Sequence, residues 1–255
     1  MKKPVVVLVL MTFIIFMGGD GTALAVDGVI EINAARAAVG GVTPGDAPGF
    51  PVTISTPGSY RLTGNLTIAA SSTNGIEITG DDVTIDLNGF SIIGPGGSGP
   101  GTGVNGGTFS RITVLNGVIR DMDDHGVVIG PQSYVSGIHA FDNGGSGIIA
   151  GRGSIVSGNT THSNNAAGIS SNQGCVISGN TVHDNGTSGI SALSGCTVVN
   201  NTARDNTGVG LSGSSSTGYK GNVFGGNNGG DVNAQVSGSP DEIGLNICGT
   251  NTTCP

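Results

Sequence analysis

The sequence predicts an all-β solenoid, in which short strands are wound into coils and each coil stacks in register on the next. Three observations predict it. Five glycines stand 21 residues apart (Gly126, Gly147, Gly168, Gly189 and Gly210), each followed by a branched apolar residue: Val127, Ile148, Ile169, Ile190 and Leu211. Two asparagine columns keep the same step: Asn159, Asn180, Asn201 and Asn222, and Asn143, Asn164, Asn185, Asn206 and Asn227. The apolar residues come in short runs bounded by Gly, Asn, Asp or Pro, which suits strands and turns and leaves no length for an α-solenoid. A fixed period of this kind means one structural unit stacked on copies of itself.

The elements follow in chain order. Residues 1–25 read as a secretory signal peptide: Lys2 and Lys3, an apolar run from Pro4 to Met17, and a small-x-small cleavage site at Ala23-Leu24-Ala25. Residues 26–50 form a leading cap. Within it Glu31 to Val39 has helical composition, and Gly40-Gly41 stops the helix. From Pro51 strand-like runs take over: Val52–Ile54, Tyr60–Leu62, Leu66–Ile68, Ile76–Ile78, Val83–Leu87 and Ser91–Ile93. Gly75-Ile76, Gly103-Val104 and Gly126-Val127 continue the glycine column with unequal steps. Gly94 to Gly107, rich in Gly, Pro and Ser, is a loop pushed out from one coil. The solenoid is expected over residues 51–236, and residues 237–255 form a terminal cap.

Each 21-residue repeat divides into three strands and three turns. In the repeat from Val156 to Val176, Val156 belongs to one strand and Gly158-Asn159 turns. Thr160-Thr161-His162 is the second strand, and Ser163 to Ala167 turns again. Gly168 to Ser171 is the third strand, closed by Asn172 to Gly174. Three columns face inward: Val114, Val135, Val156, Ile177 and Val198; Ile119, Ala140, Thr161, Val182, Ala203 and Phe224; and the residues after the ladder glycines. One coil cannot bury its apolar side alone, whereas a stack makes a continuous core with parallel pairing between coils. An inward Asn at a turn can bond the Asn above it and the surrounding backbone. Leucine-rich repeats need more Leu than the array holds, and no Gly-Gly-x-Gly-x-Asp nonapeptide is present.

Gly158-Asn159-Thr160, Asp184-Asn185-Gly186 and Ser188-Gly189-Ile190 resemble the right-handed parallel β-helix repeat of the pectate-lyase-like superfamily. Pro57 to Leu62 and Ile85 to Gly89 resemble its bacterial exported branch. The resemblance covers the chain from Val26 onward and implies a right-handed parallel β-helix. The superfamily holds polysaccharide lyases, hydrolases and epimerases, and also binding and structural members, so the fold does not choose an activity.

Two constellations carry chemistry. Asp123-Asp124-His125 resembles the Asp-Pro-His motif of mannuronan epimerases. The resemblance implies an acid/base role for His125 with Asp123 as its partner. Asp124 replaces the proline, and Gly151 stands where a further Asp is expected. The second is an outward ladder of Arg120, Phe141, His162, His183 and Arg204, flanked by Asp121, Asp142, Ser163, Asp184 and Asp205 and by Thr160, Thr181 and Thr202. Such groups at steps of about 4.8 Å can track a linear sugar chain. The strand after the ladder glycines offers Val128, Ile149, Ser170, Ser191 and Ser212. That strip has neither the clustered carboxylates nor the base that pectate-lyase chemistry needs.

No cofactor is expected; calcium stays open as a ligand but has no recognisable site, and the histidines and cysteines lack metal-ligand spacing. Cys248 and Cys254 read as one disulfide. Cys175 and Cys196, one repeat apart, suit either a disulfide between neighbouring coils or two stacked thiols. The chain carries nine Lys plus Arg against 17 Asp plus Glu, a formal net charge of −8. Loss of Lys2, Lys3 and Asp20 with the leader makes it one unit more negative. An acidic surface argues against nucleic acid, and no segment of the mature chain suits a membrane span. The expectation is an exported monomer, periplasmic or extracellular, with polysaccharide as the partner class. A structural rod and a carbohydrate-active enzyme are the alternatives.

Overall fold

The computed structural model describes residues 28–249 and residue 254. The leader expected at residues 1–25 lies outside the described residues. The chain winds into stacked coils with three faces, and every strand pairing is parallel. Face 1 has nine strands among the described residues, from Val52–Ile54 to Val236–Gly238. Faces 2 and 3 are represented by Ile155–Ser157 and Thr160–His162. They merge in the eight-residue strands Thr113–Arg120 and Tyr134–Phe141, which joins them into one 17-stranded sheet.

Register follows the predicted columns. Ile148 pairs with Ile169, Ile169 with Ile190 and Ile190 with Leu211. Val156, Ile177, Val198, Val182 and Ala203 are likewise fully buried. The ladder glycines are needed for close approach and not for a positive φ, since none of the five adopts one. A Cβ at Gly168 would fall within 2.7 Å of the side chains of Val182, Thr161 and Asn185.

The asparagines close two of the corners. Asn180 Nδ2 donates to Asn201 Oδ1 at 2.9 Å and to Val156 O at 3.0 Å, while its Oδ1 accepts from Asn159 N at 2.9 Å and Asn159 Nδ2 at 3.0 Å. Both donors and the acceptor are used, so an amide that is 1% exposed is satisfied. The second column repeats the pattern from Asn143 to Asn227 and ends on Gln235.

A third corner column was not anticipated: Ser133, Ser154, Cys175, Cys196 and Thr217. Ser154 Oγ donates to Gly130 O at 3.2 Å, Cys175 Sγ to Gly151 O at 3.1 Å, Cys196 Sγ to Asn172 O at 3.1 Å, and Thr217 Oγ1 to Leu193 O at 2.9 Å. Cys175 and Cys196 are free and buried, so the inter-coil disulfide alternative does not hold. Each thiol fills a serine's place, donating to a carbonyl, and Cys196 Sγ also receives Cys175 N–H at 3.3 Å.

Both ends differ from expectation. The helix runs over Ala34–Val39, capped by Asn33, whose Oδ1 accepts from Arg36 N at 2.9 Å. It does not begin at Glu31, because Glu31 and Ile32 pair with Arg61 and Leu62, and Ile32 is fully buried. At the other end parallel pairing continues past residue 236. Asp241–Glu242 pairs with Gly218–Tyr219, Ile247–Cys248 pairs with Val223–Phe224, and Asn246 extends the first asparagine ladder. The step from Asn222 to Asn246 is 24 residues, which hides this coil from a 21-residue count. Cys248 is bonded to Cys254, with Cα atoms 5.2 Å apart.

Candidate functional site

On face 3 each strand turns two side chains outward. The last-position column is the expected one, with Arg120 beside Phe141, then His162, His183 and Arg204 in unbroken register. Phe141 stacks on His162 with centroids 4.9 Å apart and planes within 7°, and His162 stacks on His183 at 4.9 Å and 8°. The ring faces cover one another, so ring edges, with their nitrogens, are what solvent meets.

The residue after each ladder member ends the strand in a left-handed conformation: φ is 55° at Asp121, 53° at Asp142, 52° at Ser163, 54° at Asp184 and 54° at Asp205. Asp and Ser tolerate this conformation at a corner. Their side chains hold the ladder: Arg120 bonds Asp121, His183 Nδ1 lies 2.7 Å from Asp184 Oδ2, and Arg204 Nε donates to Asp205 Oδ2 at 2.8 Å. His162 Nδ1 lies 3.1 Å from Ser163 Oγ.

The structure adds His139, which the sequence reading missed. It occupies the first-position column, in register with Thr160, Thr181 and Thr202. Its ring lies 4.7 Å from Phe141, and its Nε2 is 2.9 Å from His162 Nε2. The signal was one histidine breaking a threonine column. Burial lowers the pKa of both His139 and His162. The charge on His183 lowers them further, and Asp142 and Asp184 oppose this at His162.

Asp123 and His125 lie at the corner between faces 3 and 1 and face different ways. Asp123 is buried under the 94–107 loop, where its Oδ1 accepts Gly97 N–H at 2.5 Å and its Oδ2 has no hydrogen-bond partner. The carboxylate beside His125 is that of Asp124, 3.2 Å from Nε2, and not that of Asp123. His125 Nδ1 accepts the backbone N–H of Ser146 at 2.9 Å. An acceptor at Nδ1 and a carboxylate at Nε2 define a neutral imidazole protonated on Nε2. Burial lowers its pKa, against the opposing charge of Asp124.

Face 1 presents Val128, Ile149, Ser170, Ser191 and Ser212 in one register, as expected. Ahead of them stand Glu77 and Asn105, with Asn105 Nδ2 donating to Glu77 at 3.1 Å. No group of three or more His, Cys, Asp or Glu able to hold a metal ion occurs among the described residues. No helix among them is long and apolar enough to cross a membrane.

Parallel coils in register, a buried amide ladder and an exposed side-chain strip define a parallel β-solenoid. Residues 54–224 match the family described as "Right handed beta helix region", and the chain belongs to that family. The A-module of the Azotobacter vinelandii mannuronan C-5 epimerase AlgE4 is similar in structure at 16% identity and a TM-score of 0.40. The match covers 73% of this chain and 62% of that one. The Dettilon tailspike protein is similar at 13% identity and a TM-score of 0.37, covering 76% of this chain and 59% of that one. This chain therefore spans less than two thirds of either. No curated protein matches it.

Proposed function

We propose that the protein is exported and binds a linear polysaccharide along face 3, at Arg120, Phe141, His162, His183 and Arg204. The observation that carries the reading is the in-register stack of Phe141, His162 and His183 with an arginine at each end. Imidazole edges and guanidiniums offer hydrogen bonds to hydroxyls and carboxylates, with Thr160, Thr181 and Thr202 as a second row of hydroxyls. Five coils contribute one rung each, so the strip suits an extended repeating ligand better than a small one. The Cys248–Cys254 disulfide supports export.

The test is a panel of acidic and neutral polysaccharides, including alginate, pectin and dextran, run as affinity electrophoresis in the presence of a chelator. At least one should retard the protein. Arg204→Ala or His183→Ala should weaken that binding about tenfold, the equivalent of one charge-assisted hydrogen bond. Absence of binding to the whole panel would favour a structural rod. A second reading, a polysaccharide lyase or uronate epimerase at the Asp123 and His125 corner, rests on the neutral imidazole of His125. Asp123 faces away from it, so Asp124 would be the paired carboxylate, and Nδ1 would have to release the Ser146 N–H before acting as a base. Incubation with alginate or pectin and calcium would then give unsaturated products or altered uronate stereochemistry. Turnover that survives His125→Ala would remove that site.

A further inference from the structure

The geometry points to a two-histidine site for a late divalent transition metal, copper(II) above all, formed by His139 and His162 on face 3. Their Nε2 atoms approach to 2.9 Å across adjacent coils, with ring centroids 4.9 Å apart and planes inclined at 51°. Two imidazole ligands with metal bonds of about 2.05 Å stand about 2.9 Å apart when they meet the metal at a right angle and about 3.3 Å apart at the tetrahedral angle. The spacing therefore matches neighbouring ligands of a square or tetragonal site, the geometry of copper(II) and nickel(II). Without a metal, one ring donates to the other through the same two nitrogens.

Asp142 and Asp184 place negative charge near His162, against the opposing influence of His183 and His139. Binding needs no net proton release, because the ring that donates through Nε2 can move that proton to its own Nδ1. At His162 the Nδ1 lies 3.1 Å from Ser163 Oγ, which can accept it and so orient the ligand. His183 is stacked on the far side of His162, and its Nδ1 is taken by Asp184. It is not one of the ligands. Solvent would complete the coordination.

The chain has four histidines, so the test is small. Copper(II) titrated into the full chain and followed by calorimetry should bind one equivalent. The electron paramagnetic resonance spectrum should be tetragonal, with splitting from two nitrogens. His139→Ala and His162→Ala should each weaken binding about tenfold or more, while His183→Ala should leave stoichiometry and spectrum in place. Far-UV circular dichroism would check that the variants, all altered at half-buried outward positions, keep the fold. Three results would overturn the assignment: no copper binding by the wild type, binding that persists in the His139→Ala/His162→Ala double variant, or equal loss in His183→Ala. Polysaccharide binding is measured with metal chelated, so either result can fail alone.

Discussion

Asn180→Ala probes what holds the coils together. The Asn180 side chain is 1% exposed and makes four hydrogen bonds. Truncation leaves the backbone N–H of Asn159 and one hydrogen of its amide without their acceptor, and takes a donor from Val156 O and from Asn201 Oδ1. Asn201 Oδ1 keeps the backbone N–H of Asn180 at 2.9 Å, so it is not orphaned. Two buried donors left unpaired at about 1–3 kcal/mol each, in a site too enclosed for easy solvation, give a loss of ~4 kcal/mol. That is a large share of a typical domain's stability. Thr181, the next residue, faces outward and is exposed, so Thr181→Ala should cost about 0.5 kcal/mol or less. The assay is equilibrium unfolding in guanidinium chloride, followed by far-UV circular dichroism. Because coils couple mainly to their neighbours, the Asn180→Ala transition should also broaden as the two halves of the stack separate. Equal midpoints for the two variants would refute the reasoning and show that the ladder contributes nothing net.

Other perturbations read other parts of the same core. Thr161 Oγ1 is fully buried and has no partner, while its column neighbours are Ala140 and Val182; Thr161→Val should raise the thermal midpoint by about 2–4 °C per kcal/mol recovered, and a lower midpoint would show that the hydroxyl is used. Thiol titration without reductant should find no reactive group in the native protein and two in denaturant, from Cys175 and Cys196; none in denaturant would mean that the two are bonded. His125, His139 and His162 all have pKa values held below the ordinary 6.5, chiefly by burial. The unfolded chain therefore takes up protons first, so stability is full above pH 6.5 and falls as the pH drops below it. Unfolding midpoints at pH 7.5 and 5.5 check the sign, and greater stability at the lower pH would contradict it.

How much was legible follows from what each residue must satisfy. The inward columns were readable because burial makes the same demand at every rung: a branched apolar residue at Ile148, Ile169 and Ile190, a glycine at Gly147, Gly168 and Gly189, an amide at Asn164, Asn185 and Asn206. The serine–cysteine column escaped notice because Ser, Cys and Thr do one job there with different letters. The last coil was hidden by its 24-residue step, although Asn246 carries the same amide bonds as its predecessors. At the start, helical composition over Glu31–Val39 yielded to the pairing of Glu31 and Ile32 with the next coil, since an edge left open there would strand backbone donors.

Outward positions obey no such demand, and their geometry is set by corners that the sequence does not announce. The left-handed turn at Asp121 resets the alternation of side chains, so counting outward and inward from Arg120 does not carry through to His125. Asp123 consequently turns inward beneath the 94–107 loop, and Asp124 takes the place beside the imidazole. The contact between His139 and His162 was invisible for a related reason. It is diagonal, joining the first outward position of one coil to the last outward position of the next, whereas a column reads only along the stack. A site built across columns needs the actual inclination of the rings, here 51° between His139 and His162 against 8° between His162 and His183. That difference turns the nitrogens of one pair toward each other and leaves the other pair merely stacked.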